Sequence, residues 1–343
     1  MIKRHHNIDL LKQLFQIPNF DETNMDHWEK LHQLSIQSIV NANGALPVVP
    51  PFEKHPYLEK LDPQSTSTGL MIGTFPPITY LCSQYHLANL KYNNQTFTAP
   101  DLDYFHGNYS SLWKYAPINF WQIQLVNRDE QPQLIIDALN AADVLYTDII
   151  KYTQRELNND KYDAGDKKLN SILPNAQIFE FLKEAIVDRL YFTNASFFHT
   201  NNNLFTAQGL LRLNENDAFG LFVKTALDLN IKVEYSLWKQ DNWIELNELP
   251  KPLYVRNAIH NDLNVKVFLK LRLTFGEEKK VYSICSAVSP AAVNRGAVRQ
   301  NACVLVCKVH LKIPIADAPS KLLSETLSCF FNNNLIELAQ YNA

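Results

Sequence analysis

The sequence predicts an α/β fold, a parallel sheet with helices on both faces. Two observations carry this. Apolar runs at 70–72, 143–150 and 189–194 read as strands, and the segments 131–142 and 175–187 between and before them carry helical spacing. Strands alternating with helices are the signature of parallel pairing. Each run also stops at polar or conformationally special residues: Gly73-Thr74-Phe75, Asp148, and Thr193-Asn194. In an open α/β sheet, ligands bind just outside the carboxyl ends of strands, so these endings are where chemistry is expected.

Taken in order, the chain opens with two amphipathic helices, 8–15 and 25–40. In the second, Trp28, Leu31, Leu34, Ile36 and Ile39 recur at roughly helical spacing, and 21–24 supplies start signals. A proline-containing connector, 41–68, follows with apolar anchors at Val48, Val49, Phe52, Tyr57 and Leu58. Residues 1–68 therefore read as a helical amino-terminal extension and connector, and 69–343 as the α/β domain. The first strand delivers Gly73, where the backbone can be approached closely, and then Pro76 and Pro77, which cannot extend a sheet.

Beyond it, 80–103 is polar and irregular, and 104–113 is rich in aromatic residues. A helix is expected over 217–230 and a strand over 231–238. Val265 to Leu273 alternates with Lys266, Lys270 and Arg272, a half-exposed strand with a basic outer face. Gly276-Glu277-Glu278 turns the chain into 281–286. A further strand over 303–313 and a helix over 320–341 close it. The stretch from about 201 to 280 reads as an insertion adding strands at the sheet edge.

Composition limits the function classes. With 46% hydrophobic and 20% charged residues, the 343-residue chain is globular rather than disordered. A net charge of −3 gives no global attraction to nucleic acid, so contact with DNA must rest on a local patch. Residues 281–316 supply one: Arg295, Arg299, Lys308 and Lys312 stand there without a single Asp or Glu. Phosphate contact and a solvated face both fit that charge. The five cysteines lack the spacing of a zinc or iron–sulfur site, and His5-His6 has no further ligands beside it, so no metal is expected. Unpaired thiols suit a reducing compartment. No run approaches the ~20 apolar residues of a spanning helix, and no apolar stretch follows the basic residues of 1–6. A cytoplasmic monomer is the expectation.

Four segments now stand in order: Gly73-Thr74-Phe75-Pro76, then Tyr104-Phe105-His106-Gly107-Asn108-Tyr109-Ser110-Ser111-Leu112-Trp113, then Phe192-Thr193-Asn194, then Ser286-Ala287-Val288-Ser289-Pro290. This pattern resembles the uracil-DNA glycosylase superfamily, closest to its hypoxanthine-DNA glycosylase-like branch. The resemblance spans Leu70 to about Asn294 and leaves out 1–69 and 201–280. It implies a three-layer sandwich around a four-stranded parallel sheet, and hydrolysis of an N-glycosidic bond in DNA without metal or organic cofactor. Such enzymes extrude a nucleotide and hold its base in a pocket.

In that scheme Gly73, Thr74 and Phe75 form the base pocket, with Phe75 as its floor or stacking ring. Asn194 reads the base edge, and the loop carrying Ser286 and Ser289 presses on the DNA backbone. Arg295 and Arg299 reach phosphates. The chain departs from the branch where its usual Asn is replaced by Ser110. Asn108, Asp148 and His106 are the remaining candidates for water activation or proton transfer. For Asp148, capping of its strand or pairing with Lys151 or Arg155 is an equally open reading. No lysine falls within the motifs to form a Schiff base, so the implied enzyme is monofunctional. The lost Asn and the long extra segments suggest a reworked pocket. A hypermodified pyrimidine of phage DNA, such as glucosylated hydroxymethylcytosine, is the expected target. Repair of uracil or hypoxanthine, a catalytically inactive DNA-binding module, and a small-molecule nucleoside hydrolase are the alternatives.

Overall fold

Asn24 is extended, and its side chain accepts a hydrogen bond from the Asp26 amide at 2.9 Å, which caps helix α1 (Met25–Asn41). The helix ends in a Schellman motif. Asn43 takes a left-handed φ of 52° and donates to Val40, while Gly44 donates to Ile39 at 2.9 Å. The helix runs one residue beyond the expected 25–40. The computed structural model describes residues 12–13, 15–17, 19–21, 23–46, 49–56, 58, 61–76, 89–92, 95–98, 137, 139–141, 143–155, 157–158, 161–162, 169–193, 210–211, 218–237, 243–246, 253–254 and 268–286. The helix expected at 8–15 lies outside them save for Lys12, Gln13 and Phe15, and the strand at 303–313 and the helix at 320–341 lie wholly outside.

The strands, in chain order, are β1 (Phe52–Lys54), β2 (Gly69–Gly73), β3 (Asn89–Tyr92), β4 (Gln95–Thr98), β5 (Val144–Asp148), β6 (Ile150–Arg155), β7 (Leu157–Asn158), β8 (Lys161–Tyr162) and β9 (Leu169–Pro174). Helix α2 (Gln177–Glu184), β10 (Arg189–Phe192), β11 (Leu210–Leu211) and helix α3 (Ala218–Asp228) follow. Then come β12 (Lys232–Leu237), β13 (Trp243–Leu246), β14 (Leu253–Tyr254), β15 (Phe268–Phe275) and β16 (Glu278–Ser286). They fall into two compact units that interleave along the chain. The first takes its described residues from 1–59, 74–105 and 148–175, the second from 60–73, 106–147 and 176–343. The boundary falls after Gly73 and before Asp148, so the residues that leave β2 and end β5 belong to the first unit.

The first unit is built on an antiparallel sheet in the order β1-β6-β9. One face of that sheet meets α1. Trp28 and Leu31 of the helix cluster with Ile17, Phe52 and Tyr152, all buried. Phe52 and Tyr152 stack with ring centroids 5.6 Å apart, and Trp28 tilts against Phe52 at 5.1 Å. Polar groups of α1 satisfy the neighbouring backbone. His32 Nδ1 donates to the Phe52 carbonyl at 2.9 Å, and the Phe52 amide donates to Ser35 Oγ. Burial pushes the His32 imidazole down to about 4, against the opposing pull of its bond to Phe52 and of Glu29. Partial burial works against ionisation of Glu29. Donation from the Tyr152 hydroxyl and Lys54 Nζ outweighs it and holds the carboxyl at about 2.

The second unit holds a mixed sheet of seven strands in the order β13-β12-β15-β16-β10-β2-β5. β2, β10 and β16 run parallel in matched register, with Leu70, Leu190 and Ile284 aligned and Ile72, Phe192 and Ser286 level with one another. β5 lies beside β2, and the Gly69 amide at the head of β2 donates to Asp143 just ahead of β5. The strands of 232–275 extend this sheet antiparallel beyond β16. Gly276, at φ 65°, provides the left-handed position of the tight turn between β15 and β16. Phe222 of α3 meets both Phe179 of α2 and Phe192 of β10, which joins the two helices to the sheet.

The sheet is mixed rather than the parallel sheet expected, and two finer expectations also change. The run 143–150 is two strands rather than one, because the chain breaks at Ile149 and enters the other sheet as β6. The outer face of β15 is not simply basic: Arg272 is clamped by Glu234 of β12 through two bonds of 2.7 Å and lies 4.2 Å over Trp243. Among the described residues no helix is long and apolar enough to cross a membrane.

Candidate functional site

The second face of the β1-β6-β9 sheet carries the site. Side chains alternate along a strand, so Phe52 and Lys54 point one way, Glu53 and the following His55 the other. Lys54 faces Tyr152 across the ladder, and the next backbone bond, His55 amide to Lys151 carbonyl at 2.8 Å, continues it. Thr153 and Arg155 of β6 share the face with Glu53 and His55. All four are buried although all are polar.

What they meet is the start of the chain beyond β2 and the end of β5. His55 Nε2 lies 3.0 Å from Asp148 Oδ2, with the two side chains 0% and 6% exposed. A carboxylate accepts, so the imidazole nitrogen donates. The His55 ring stands edge-on to Phe75, centroids 5.4 Å apart at 89°. Arg155 grips Glu53 through Nε and Nη2 at 2.8–3.1 Å, and its Nη2 also donates to the Pro76 carbonyl at 2.5 Å. Its guanidinium sits 5.5 Å from the Phe75 ring centre. Burial pushes the Glu53 carboxyl up, and the guanidinium beside it pulls the other way. The turn Thr74-Phe75-Pro76 is thus pinned from β6: the Ile150 amide donates to the Thr74 carbonyl, and Arg155 donates to that of Pro76.

Asp148 is held on one side only. Its Oδ1 is buried with no hydrogen-bond partner among the described residues, as is Oδ1 of Asn175, whose amide nitrogen donates to the Asp148 carbonyl at 3.3 Å. A buried carboxylate oxygen without a donor is costly, and such groups call for a water, an ion or a substrate. Chemically the arrangement offers a fixed carboxylate with one oxygen tied back and one open to accept a proton. The His55 ring that ties it back also contacts the half-buried ring of Phe75. Among the described residues no group of three or more His, Cys, Asp or Glu stands together to hold a metal.

Of the sequence-predicted residues, Thr74, Phe75 and Asp148 come together in the first unit, and Gly73 ends β2 as a buried residue of the second. Ser286 ends β16 level with Phe192. His106, Asn108, Ser110, Asn194, Ser289, Arg295 and Arg299 lie outside the described residues. Asp148 pairs with neither of the partners considered for it, Lys151 or Arg155, but with His55. His55, Glu53 and Arg155 were not foreseen as a group. The only signal was the alternation Phe52-Glu53-Lys54-His55 between two prolines, too short to separate from the connector.

Fold and site together define an α/β protein with a buried His–Asp pair at the end of a sheet strand. No protein-family model matches the chain, and neither the curated proteins nor the solved structures contain a significant match.

Proposed function

We propose that the protein is a monofunctional DNA glycosylase of the uracil-DNA glycosylase type, with Asp148 as the base that activates water. The observation that carries the reading is the Asp148 carboxylate, buried at the end of β5 with Oδ1 unpartnered and Oδ2 bonded to His55. The parallel strands β16, β10 and β2, with β5 beside β2 in the same mixed sheet, support the reading. Gly73, Thr74 and Phe75 leave β2 at the adjoining strand end, the usual location of a ligand crevice.

In this reading the target base is extruded and stacked against the half-buried Phe75 ring. Water bound at Asp148 Oδ1 attacks C1′ of the sugar. Its proton passes to the carboxylate, the C1′–N bond breaks, and the bonding pair leaves with the base. Asn194 and Ser110 contact the base edge, while Asn108 and His106 assist proton transfer. Ser286, Ser289, Arg295 and Arg299 engage the DNA backbone. A hypermodified pyrimidine such as glucosylated hydroxymethylcytosine is the proposed base.

The test uses phage DNA with and without glucosylated hydroxymethylcytosine, and oligonucleotides carrying uracil or hypoxanthine, each treated with alkali after incubation. Alkali-labile breaks in modified phage DNA alone are expected. Breaks only at uracil or hypoxanthine would move the substrate to deaminated bases. DNA binding without breaks in any of them would replace the enzyme by an inactive binding module. Asp148→Asn should lower turnover about 10³-fold while the protein stays folded.

A further inference from the structure

We infer that His55 is the positioning residue of the Asp148 carboxylate, so that the chain leaving β1, in the connector outside the region of sequence resemblance, is part of the catalytic apparatus. The inference rests on the glycosylase reading for the reaction it serves, and on geometry for the pairing itself. Among the described residues, Lys151, Phe75 and Asp148 all hold His55. Its amide is bonded to Lys151, its ring edge rests on Phe75, and its Nε2 donates to Asp148 Oδ2 at 3.0 Å.

Nothing about a strand edge calls for an imidazole at this depth. An apolar side chain would fill the volume without a donor to satisfy, and burying a polar ring is favourable only when it is hydrogen-bonded. The bond has a directional consequence. It engages Oδ2 and sets the rotation of the carboxylate, leaving Oδ1 as the oxygen with no hydrogen bond among the described residues. The same ring sets the edge against which Phe75 is placed. One side chain therefore links the proposed water-activating group to the proposed stacking ring, both in the first unit. Among the described residues, the charged neighbours on this face are Asp148, Glu53 and Arg155. The last two are paired with each other, so Asp148 is the carboxylate that His55 serves.

His55 is fully buried, with 0% of its side chain exposed, and so acts through Asp148 rather than on substrate. Holding a catalytic group to well under an ångström is worth about 10²-fold in rate. His55→Ala should accordingly lower kcat by about that factor with KM little changed. His55→Gln keeps an N–H donor near the position of Nε2 and should restore most of the loss. Both are measured by alkali cleavage on whichever probe DNA the wild type cuts. Wild-type kcat in folded His55→Ala overturns the inference, and so does equal loss in the alanine and glutamine variants, which is what a packing role alone would give. Absence of abasic product from the wild type on every probe is a different failure, that of the glycosylase reading.

A second measurement needs no substrate. Nitrogen-15 spectra of histidine-labelled full-length protein report which ring nitrogen of His55 carries hydrogen. Protonation at Nε2, with a shifted resonance in Asp148→Asn, is expected. A neutral His55 protonated only at Nδ1 overturns the pairing.

Discussion

The two faces of the β1-β6-β9 sheet are made from the same few residues in alternation, yet they are opposite in character. One carries Phe52 and Tyr152 against Trp28 and Leu31 of α1, a packed aromatic cluster. The other carries Glu53, His55, Thr153 and Arg155, polar and equally buried. The first face is what the hydrophobic effect builds unaided. The second is expensive, since desolvating a carboxylate and a guanidinium costs about as much as their attraction returns. A sheet of three short strands that places such groups opposite an aromatic core is using one face for cohesion and the other to fix geometry.

The sharpest way to break the comparison is to unpair the polar face. Arg155→Met leaves Glu53 buried without its partner and should cost about 3–5 kcal/mol, read from the urea midpoint. Adding Glu53→Leu removes the orphaned charge and should recover most of that stability. Turnover should not recover, because Pro76 and Phe75 have lost the group that pins them. If the double variant regains activity together with stability, the polar face is structural and the division of labour fails.

The apolar face should answer differently. Leu31→Ala removes a fully buried side chain and should cost about 3 kcal/mol. Measured where the variant is still folded, its turnover should match the wild type. A loss of turnover there would mean that the two faces are coupled.

How far the sequence revealed this division follows from the same physics. The helix over Trp28 and Ile39 was legible because its apolar stripe repeats over 17 residues with a capping Asn24 before it. The strands ending at Gly73, Asp148 and Phe192 were legible as continuous apolar runs. β1 was not: three residues give no period, and its two informative side chains, Glu53 and His55, are polar and look like surface. β6 was hidden for a related reason. Lys151, Gln154 and Arg155 break the apolar pattern, and only the fold shows that Arg155 is buried against Glu53. Asp148 was legible as a strand-end carboxylate, but its partner lies 93 residues away in sequence. Spacing cannot encode such a pairing.

Acid should expose a weakness of the apolar face. His32 is held at about 4 by burial, below its ordinary 6.5. The unfolded chain therefore binds a proton that the folded chain refuses. The contribution of this group is constant above pH 6.5, falls as the pH drops from 6.5 to about 4, and levels off below. The loss from this group is roughly 3 kcal/mol at most. Glu29 adds a second decline at lower pH, since its stabilising ionisation disappears as the pH falls from 4.5 to about 2. Urea midpoints between pH 7 and 4 measure the first effect. His32→Gln should flatten that range, and an unchanged slope would assign the acid sensitivity to other groups.

The smallest effect belongs to the second bidentate pair, Arg272–Glu234, in the other unit. Its hydrogen bonds are as short as those of Arg155–Glu53, at 2.7 Å. The Arg272 side chain, however, keeps 20% of its surface exposed, where that of Arg155 keeps 1%. Water that reaches the guanidinium weakens the attraction and also relieves the penalty of losing a partner. Glu234→Gln should therefore cost about 1 kcal/mol or less, and the cost should shrink in high salt. A loss as large as that of Arg155→Met would show that bond geometry, not burial, sets what an arginine–carboxylate pair contributes in this protein.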